Sequence, residues 1–169
     1  MHFSVSPNPP LSEVVAIGAA VLLIITLAHG AGLTFIVRSY RRSAKRVLKL
    51  TWGGLSATAI FSWAILLMLT LHLVETAAWS AVLHGLGLLP DVRTSLYMAA
   101  SDYTTLGLAD AHLGLGWREL NPIIAISGLF TFGWTTSVMF NVVGSYHDLL
   151  DQLDEIRQKK KLAQGSSSL

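Results

Sequence analysis

The sequence has 169 residues, of which 52% are hydrophobic and only 13% charged, with a mean hydropathy of +0.54, whereas a soluble domain carries roughly 25% charged residues. That is too little polar surface for a free-standing cytosolic enzyme and is the composition of a membrane protein. The lack of cysteine excludes a disulfide framework, a thiolate nucleophile and a cysteine-based zinc or iron–sulfur site.

The net charge of +2 conceals two basic clusters, one of Arg38, Arg41, Arg42, Lys45, Arg46 and Lys49, the other of Arg157, Lys159, Lys160 and Lys161. Each adjoins a long apolar span, which is the pattern of a topology signal and not of a nucleic-acid surface. In chain order, residues 1–11 form an uncharged, proline-containing N-terminus. Residues 12–37 predict a first transmembrane helix, about 39 Å long at the helical rise and sufficient for a hydrocarbon core of roughly 30 Å. The basic residues follow this span and do not precede it, so it reads as a retained anchor with its N-terminus outside. Residues 38–49 are expected as a basic cytoplasmic loop. Residues 50–78 predict a second span, with Trp52 and Trp79 as interfacial aromatics. Residues 121–145 predict a third, started by Asn121 as N-cap and Pro122 at the first helical position. The tail, 146–169, places Leu149, Leu150, Leu153 and Ile156 at helical spacing, acids early and bases late, and predicts a cytoplasmic extension bundled with its copies. Residues 165–169 are of low complexity.

Between the second and third spans, residues 91–103 predict a helix of about half a bilayer, followed by the irregular segment 104–110. The expectation is a re-entrant helix entered from outside. Irregular backbone at membrane depth must be buried in protein or line a water-filled cavity, and three helices hardly enclose one. A ring of subunits follows. The expected fold class is therefore an all-α membrane protein of three transmembrane helices, a re-entrant pore helix and a filter loop, in fourfold assembly.

The stretch Ser95-Leu96-Tyr97-Met98 and then Tyr103-Thr104-Thr105-Leu106-Gly107 resembles the pore helix and filter of tetrameric potassium and related cation channels. Trp117-Arg118 after the filter and Phe132-Gly133-Trp134-Thr135-Thr136 in the third span resemble a bacterial subgroup with one extra N-terminal helix. The resemblance implies a pore domain over 50–145, with outer helix 50–78, pore helix 91–103, filter 104–110 and inner helix 121–145. It implies an ion filter of Thr104, Thr105, Leu106, Gly107, Leu108 and Ala109, with ions held by the Thr104 hydroxyls and the carbonyls of Thr104, Thr105 and Leu106. Where the family has Gly-Tyr-Gly-Asp, this chain has Gly107-Leu108-Ala109-Asp110. Leu108 cannot supply the tyrosine's tether, and Ala109 carries a Cβ where left-handed backbone costs about 1–2 kcal/mol. The expected consequence is at most two ordinary ion sites and weak potassium selectivity.

Asp102 and Tyr103 are expected to support the pore helix, Asp102 either as a brace to neighbouring backbone or as a cation attractor. Asp110, with Asp91 and Glu119, would make the outer mouth acidic. Thr131 and Thr135 are four apart, and Val138 continues a stripe expected to line a wet cavity or to bond between helices. Gly133 reads either as a gating hinge or as a point of close approach between helices. His72 and Glu75 share a helical face, and with His29 they offer a weak metal-site reading. Gly54-Leu55-Ser56-Ala57 is similar to an intramembrane serine-protease loop but reads more simply as small-residue packing.

The expected function is a non-enzymatic, homotetrameric cation channel subunit in the lipid bilayer. It would pass monovalent cations such as K+ and Na+, with no cofactor, no nucleic acid and no small-molecule substrate. The location is the cell membrane, multi-pass, tail inside. The competing classes are a non-conducting sensor or assembly subunit on the same scaffold, and a metal-handling membrane protein.

Overall fold

The computed structural model describes residues 8–49, 53–107 and 112–166, and all its regular elements are helices. They are α1 (Leu11–Lys49), α2 (Gly54–Gly85), α3 (Val92–Tyr103), a single 3-10 turn (Leu115–Trp117) and α4 (Leu120–Ser166). Helices long and apolar enough to cross a membrane number three among the described residues, and only 17–22% of their most apolar windows are buried. Leu23, Ile24, Leu27, Leu73, Val74, Leu129 and Phe140 all point outward, as expected where the solvent is hydrocarbon.

The residues expected as a basic loop, 38–49, are helical and continue α1. No proline or glycine interrupts them, and Arg46 and Lys49 in the last turn complement the helix dipole, as Glu13 does in the first. The third span and the tail are likewise one helix, α4, which runs unbroken through Gly133. α2 extends past Ala78 to Gly85 and stops in a Schellman turn: Gly87 takes a φ of +69°, its N–H donates to the His84 carbonyl at 2.9 Å, and Leu88 N–H donates to the Leu83 carbonyl at 3.1 Å.

Two compact units are present, Met1–Gly32 with Thr70–Trp134, and Leu33–Leu69 with Thr135–Leu169. In the first, Val14, Ile25, Trp79, Leu83, Met98, Tyr103, Trp117, Leu120 and Ile124 pack as one core. Trp79 is therefore no interfacial anchor. It is fully buried and donates from its indole nitrogen to Ser127 Oγ at 3.2 Å, which gives the ring's one polar atom a partner. In the second, Val47, Ala57, Leu149 and Leu153 pack together, flanked by Leu48, Ile60 and Leu150. Leu149 and Leu153 of the tail's apolar stripe are thus covered within their own chain. Ala57 in this core agrees with small-residue packing at the start of α2.

Candidate functional site

The centre of the first unit is polar. His29 of α1, His72 and Glu75 of α2, Tyr103 at the end of α3 and Thr131 of α4 are all buried, at 0–6% exposure. His29 Nδ1 lies 2.6 Å from Glu75 Oε1. The Tyr103 hydroxyl donates to Glu75 Oε2 at 2.5 Å, and lies 2.6 Å from Thr131 Oγ1 and 2.9 Å from His72 Nδ1. His72 Nδ1 is 3.7 Å from Glu75 Oε2. Thr131 also bonds the Ser127 carbonyl of its own helix at 3.0 Å. Aromatic rings close the cluster: Phe132 stacks on His72 with centroids 4.3 Å apart, and the Trp134 ring lies 5.7 Å from that of His29.

Each of these contacts has a local cause. His72 and Glu75 share a face of α2 because they are three residues apart. α3 can bring Tyr103 to them because Gly128 of α4 has no side chain; a Cβ there would run into the Tyr103 carbonyl. Trp134 reaches His29 because Gly30 leaves room for the indole, whose edge would sit 2.6 Å from a Cβ at that position. About 15 Å of α2 separates Glu75 from Gly85, and about 16 Å of α4 separates Leu120 from Thr131. Tyr103 is thus held about half a hydrocarbon thickness from the end of α2 and the start of α4.

α3 begins on Asp91, whose carboxylate accepts from Thr94 N–H and from Thr94 Oγ1, each at 2.8 Å. These bonds hold the Asp91 carboxyl below the usual carboxylate range. Asp91, expected at the outer mouth, is the cap of α3. The helix ends in another Schellman turn, with Thr105 N–H on the Asp102 carbonyl at 2.9 Å and Leu106 N–H on the Ser101 carbonyl at 2.8 Å. The left-handed position of this turn, usually glycine, is Thr105 at φ +59°, and Gly107 follows at φ +65°. A β-branched residue in that region is a strained exception.

Thr104, Thr105, Leu106 and Gly107 are exposed, and among the described residues their carbonyls accept no hydrogen bond. Thr104 Oγ1 donates to the Ala100 carbonyl at 2.7 Å. Beside this turn, an open cavity of about 260 Å³ is lined by Asp102, Thr105, Gly107, Asn121, Pro122 and Ala125. Asp102 Oδ2 and Asn121 Oδ1 are buried there without a partner among the described residues. Asp102 Oδ2 therefore braces none of the described residues, and Asn121 does not cap α4, which starts one residue earlier at Leu120. Leu108, Ala109 and Asp110 lie outside the described residues.

Of the stripe expected to line a wet cavity or to bond between helices, Thr131 bonds between helices. Thr131 is fully buried against Tyr103, Thr135 and Val138 are half-buried, and Thr136, Ser137 and Asn141 are exposed along with Leu129, Phe130, Phe132 and Phe140. The weak metal-site reading is the one in which sequence-distant residues come together: one ligand atom each from His29, His72 and Glu75 lie within 4.8 Å of one another. Sequence reasoning missed the participation of Tyr103 and Thr131 in that cluster and the role of Gly128. The pair Ser127-Gly128 in an apolar helix was the available signal for a close crossing. Comparison of the chain with protein-family models, curated proteins and solved structures finds no match.

Proposed function

We propose that this chain is one subunit of a homotetrameric cation channel of the cell membrane, with α3 as a re-entrant pore helix and the turn after it as the ion-coordinating segment. The observation that carries this reading is the exposed run Thr104–Gly107, whose carbonyls have no described partner although Tyr103 is bonded to Glu75, about 15 Å along α2 from its end. Such carbonyls cannot face lipid, where each unsatisfied group costs several kcal/mol. In a ring of subunits they face a common aqueous axis, and cations replace the missing donors. Asp102, whose Oδ2 is unpartnered among the described residues, lines the adjoining cavity and carries the sign of charge such a path needs. The match of Tyr103-Thr104-Thr105-Leu106-Gly107 to the potassium-channel filter pattern supports the same assignment.

Within this reading the N-terminus is outside and the basic tail cytoplasmic. Conduction discriminates K+ from Na+ weakly, because Leu108 and Ala109 stand where the family has tyrosine and glycine. The test is thallium, potassium and sodium flux into proteoliposomes of purified protein whose mass in native micelles is measured in parallel. A tetramer that takes up thallium and has a reversal potential near zero under opposed K+ and Na+ gradients is the expected result. A monomer or dimer, or no flux across voltage, pH and calcium, overturns it in favour of a non-conducting membrane subunit. Cysteines placed by Asn8→Cys and Gln158→Cys should be respectively open to and protected from an impermeant external thiol reagent; the reverse pattern inverts the topology.

A further inference from the structure

The buried cluster of the first unit has chemistry that a cation path does not use. A carboxylate between two imidazoles, all three nearly excluded from solvent, is costly inside an apolar bundle unless something compensates its charge. Among the described residues the ion pairs of Glu75 are with His29 and His72 alone. Two histidines and one glutamate are also the protein ligand set of an open-coordinated zinc ion, which takes imidazole nitrogen at about 2.0–2.1 Å and carboxylate oxygen at about 2.0–2.2 Å.

We infer that His29, His72 and Glu75 form a binding site for a late first-row divalent cation of the zinc class. Tetrahedral coordination at those bond lengths separates neighbouring ligand atoms by about 3.3 Å. In the structure His29 Nδ1 is 2.6 Å from Glu75 Oε1 and His72 Nδ1 is 3.7 Å from the other oxygen, Oε2, so the carboxylate lies between the two imidazoles, and one ligand atom from each of the three residues lies within 4.8 Å of the others. The Tyr103 hydroxyl is bonded to both Glu75 and His72.

Protons and metal compete for the same atoms. In the tautomer that carries hydrogen on Nδ1, His29 donates to Glu75 Oε1; a bound ion needs that nitrogen's lone pair, so the hydrogen of a neutral ring moves to Nε2, whereas a protonated imidazolium must release a proton, and binding therefore weakens as pH falls. The soft-to-borderline nitrogen donors favour zinc, cobalt or nickel over magnesium and calcium, which prefer all-oxygen shells. The site does not depend on conduction, because its ligands lie on the buried side of Tyr103 while the exposed carbonyls begin at Thr104.

The test uses the full chain, purified in chelator, exchanged into metal-free buffer and titrated with zinc or cobalt, with bound metal counted by elemental analysis. The expected result is about one ion per chain, with a cobalt visible spectrum of tetrahedral or five-coordinate type and affinity falling from pH 7.5 to pH 5.5. His29→Gln, His72→Gln and Glu75→Gln should each weaken binding by more than about tenfold, whereas His84→Gln and His112→Gln should not. Substoichiometric binding by the wild type overturns the proposal without any variant, and so does binding that the three substitutions leave intact. A variant that misfolds is replaced by the cobalt spectrum of the wild type, which reports nitrogen ligation directly; a spectrum typical of an all-oxygen octahedral shell refutes the site. Flux without metal would remove this site and spare the channel; metal without flux would do the reverse.

Discussion

Tyr103→Phe isolates the join between α3 and its neighbours, because phenylalanine keeps the ring volume and removes a single oxygen. That oxygen has contacts with Glu75 Oε2, Thr131 Oγ1 and His72 Nδ1 at 2.5, 2.6 and 2.9 Å. Interhelical side-chain bonds in membrane proteins average about 0.6 kcal/mol each, so three sum to about 2 kcal/mol. Leaving the buried Glu75 oxygen short of a donor sets a higher limit, since one unsatisfied buried group costs about 1–3 kcal/mol. Water does not easily replace the hydroxyl, because Tyr103 is only 2% exposed. The expected loss is therefore about 2–4 kcal/mol, read as unfolding in mixed detergent micelles with chelator present. Glu75→Gln and the double variant complete a cycle, and the coupling between the two positions should exceed about 0.5 kcal/mol. A Tyr103→Phe protein within about 0.5 kcal/mol of wild type, or strictly additive changes, refutes the tether.

Gly128→Ala should destabilise by about 1–3 kcal/mol, the usual range for overpacking, because the new methyl meets the Tyr103 carbonyl; an unchanged unfolding midpoint would mean that α3 moves aside at no cost. Thr105→Gly should stabilise by up to about 1 kcal/mol, as relief of a left-handed β-branched residue outweighs the added chain entropy, and a destabilised variant would mean that the Thr105 side chain is needed where it stands. For Asp91, the bonds from Thr94 lower the carboxyl pKa, so its contribution is complete above the ordinary carboxylate pKa and is lost as pH falls through the lowered one. The midpoint gap between wild type and Asp91→Ala should accordingly shrink as pH drops below about 4; a gap that is the same at pH 7 and pH 3 removes the charge from the explanation.

The membrane character of the chain, its three long apolar helices and the short helix after Asp91 were legible in the sequence, because each rests on local quantities: run length, charge spacing and a capping side chain within three residues of its target. Where the reading went astray, the missing information was which face of a helix meets which neighbour. Residues 38–49 were expected as a loop from their charge, yet charge sets the side of the membrane and not backbone conformation, and nothing local breaks α1 there. Trp79 has an interfacial composition and an interior position because Ser127 supplies its indole a partner. The Thr131 stripe has a helical period that is the same whether it faces water or Tyr103. His29, 46 positions from Glu75 in the chain, cannot be paired with it by any spacing rule. Only the packing of α1, α2, α3 and α4, with Gly30 and Gly128 cleared of side chains, brings two imidazoles, a carboxylate and a phenol to one point, because a side-chain contact depends on the relative rotation of whole helices and not on the order of residues along any one of them.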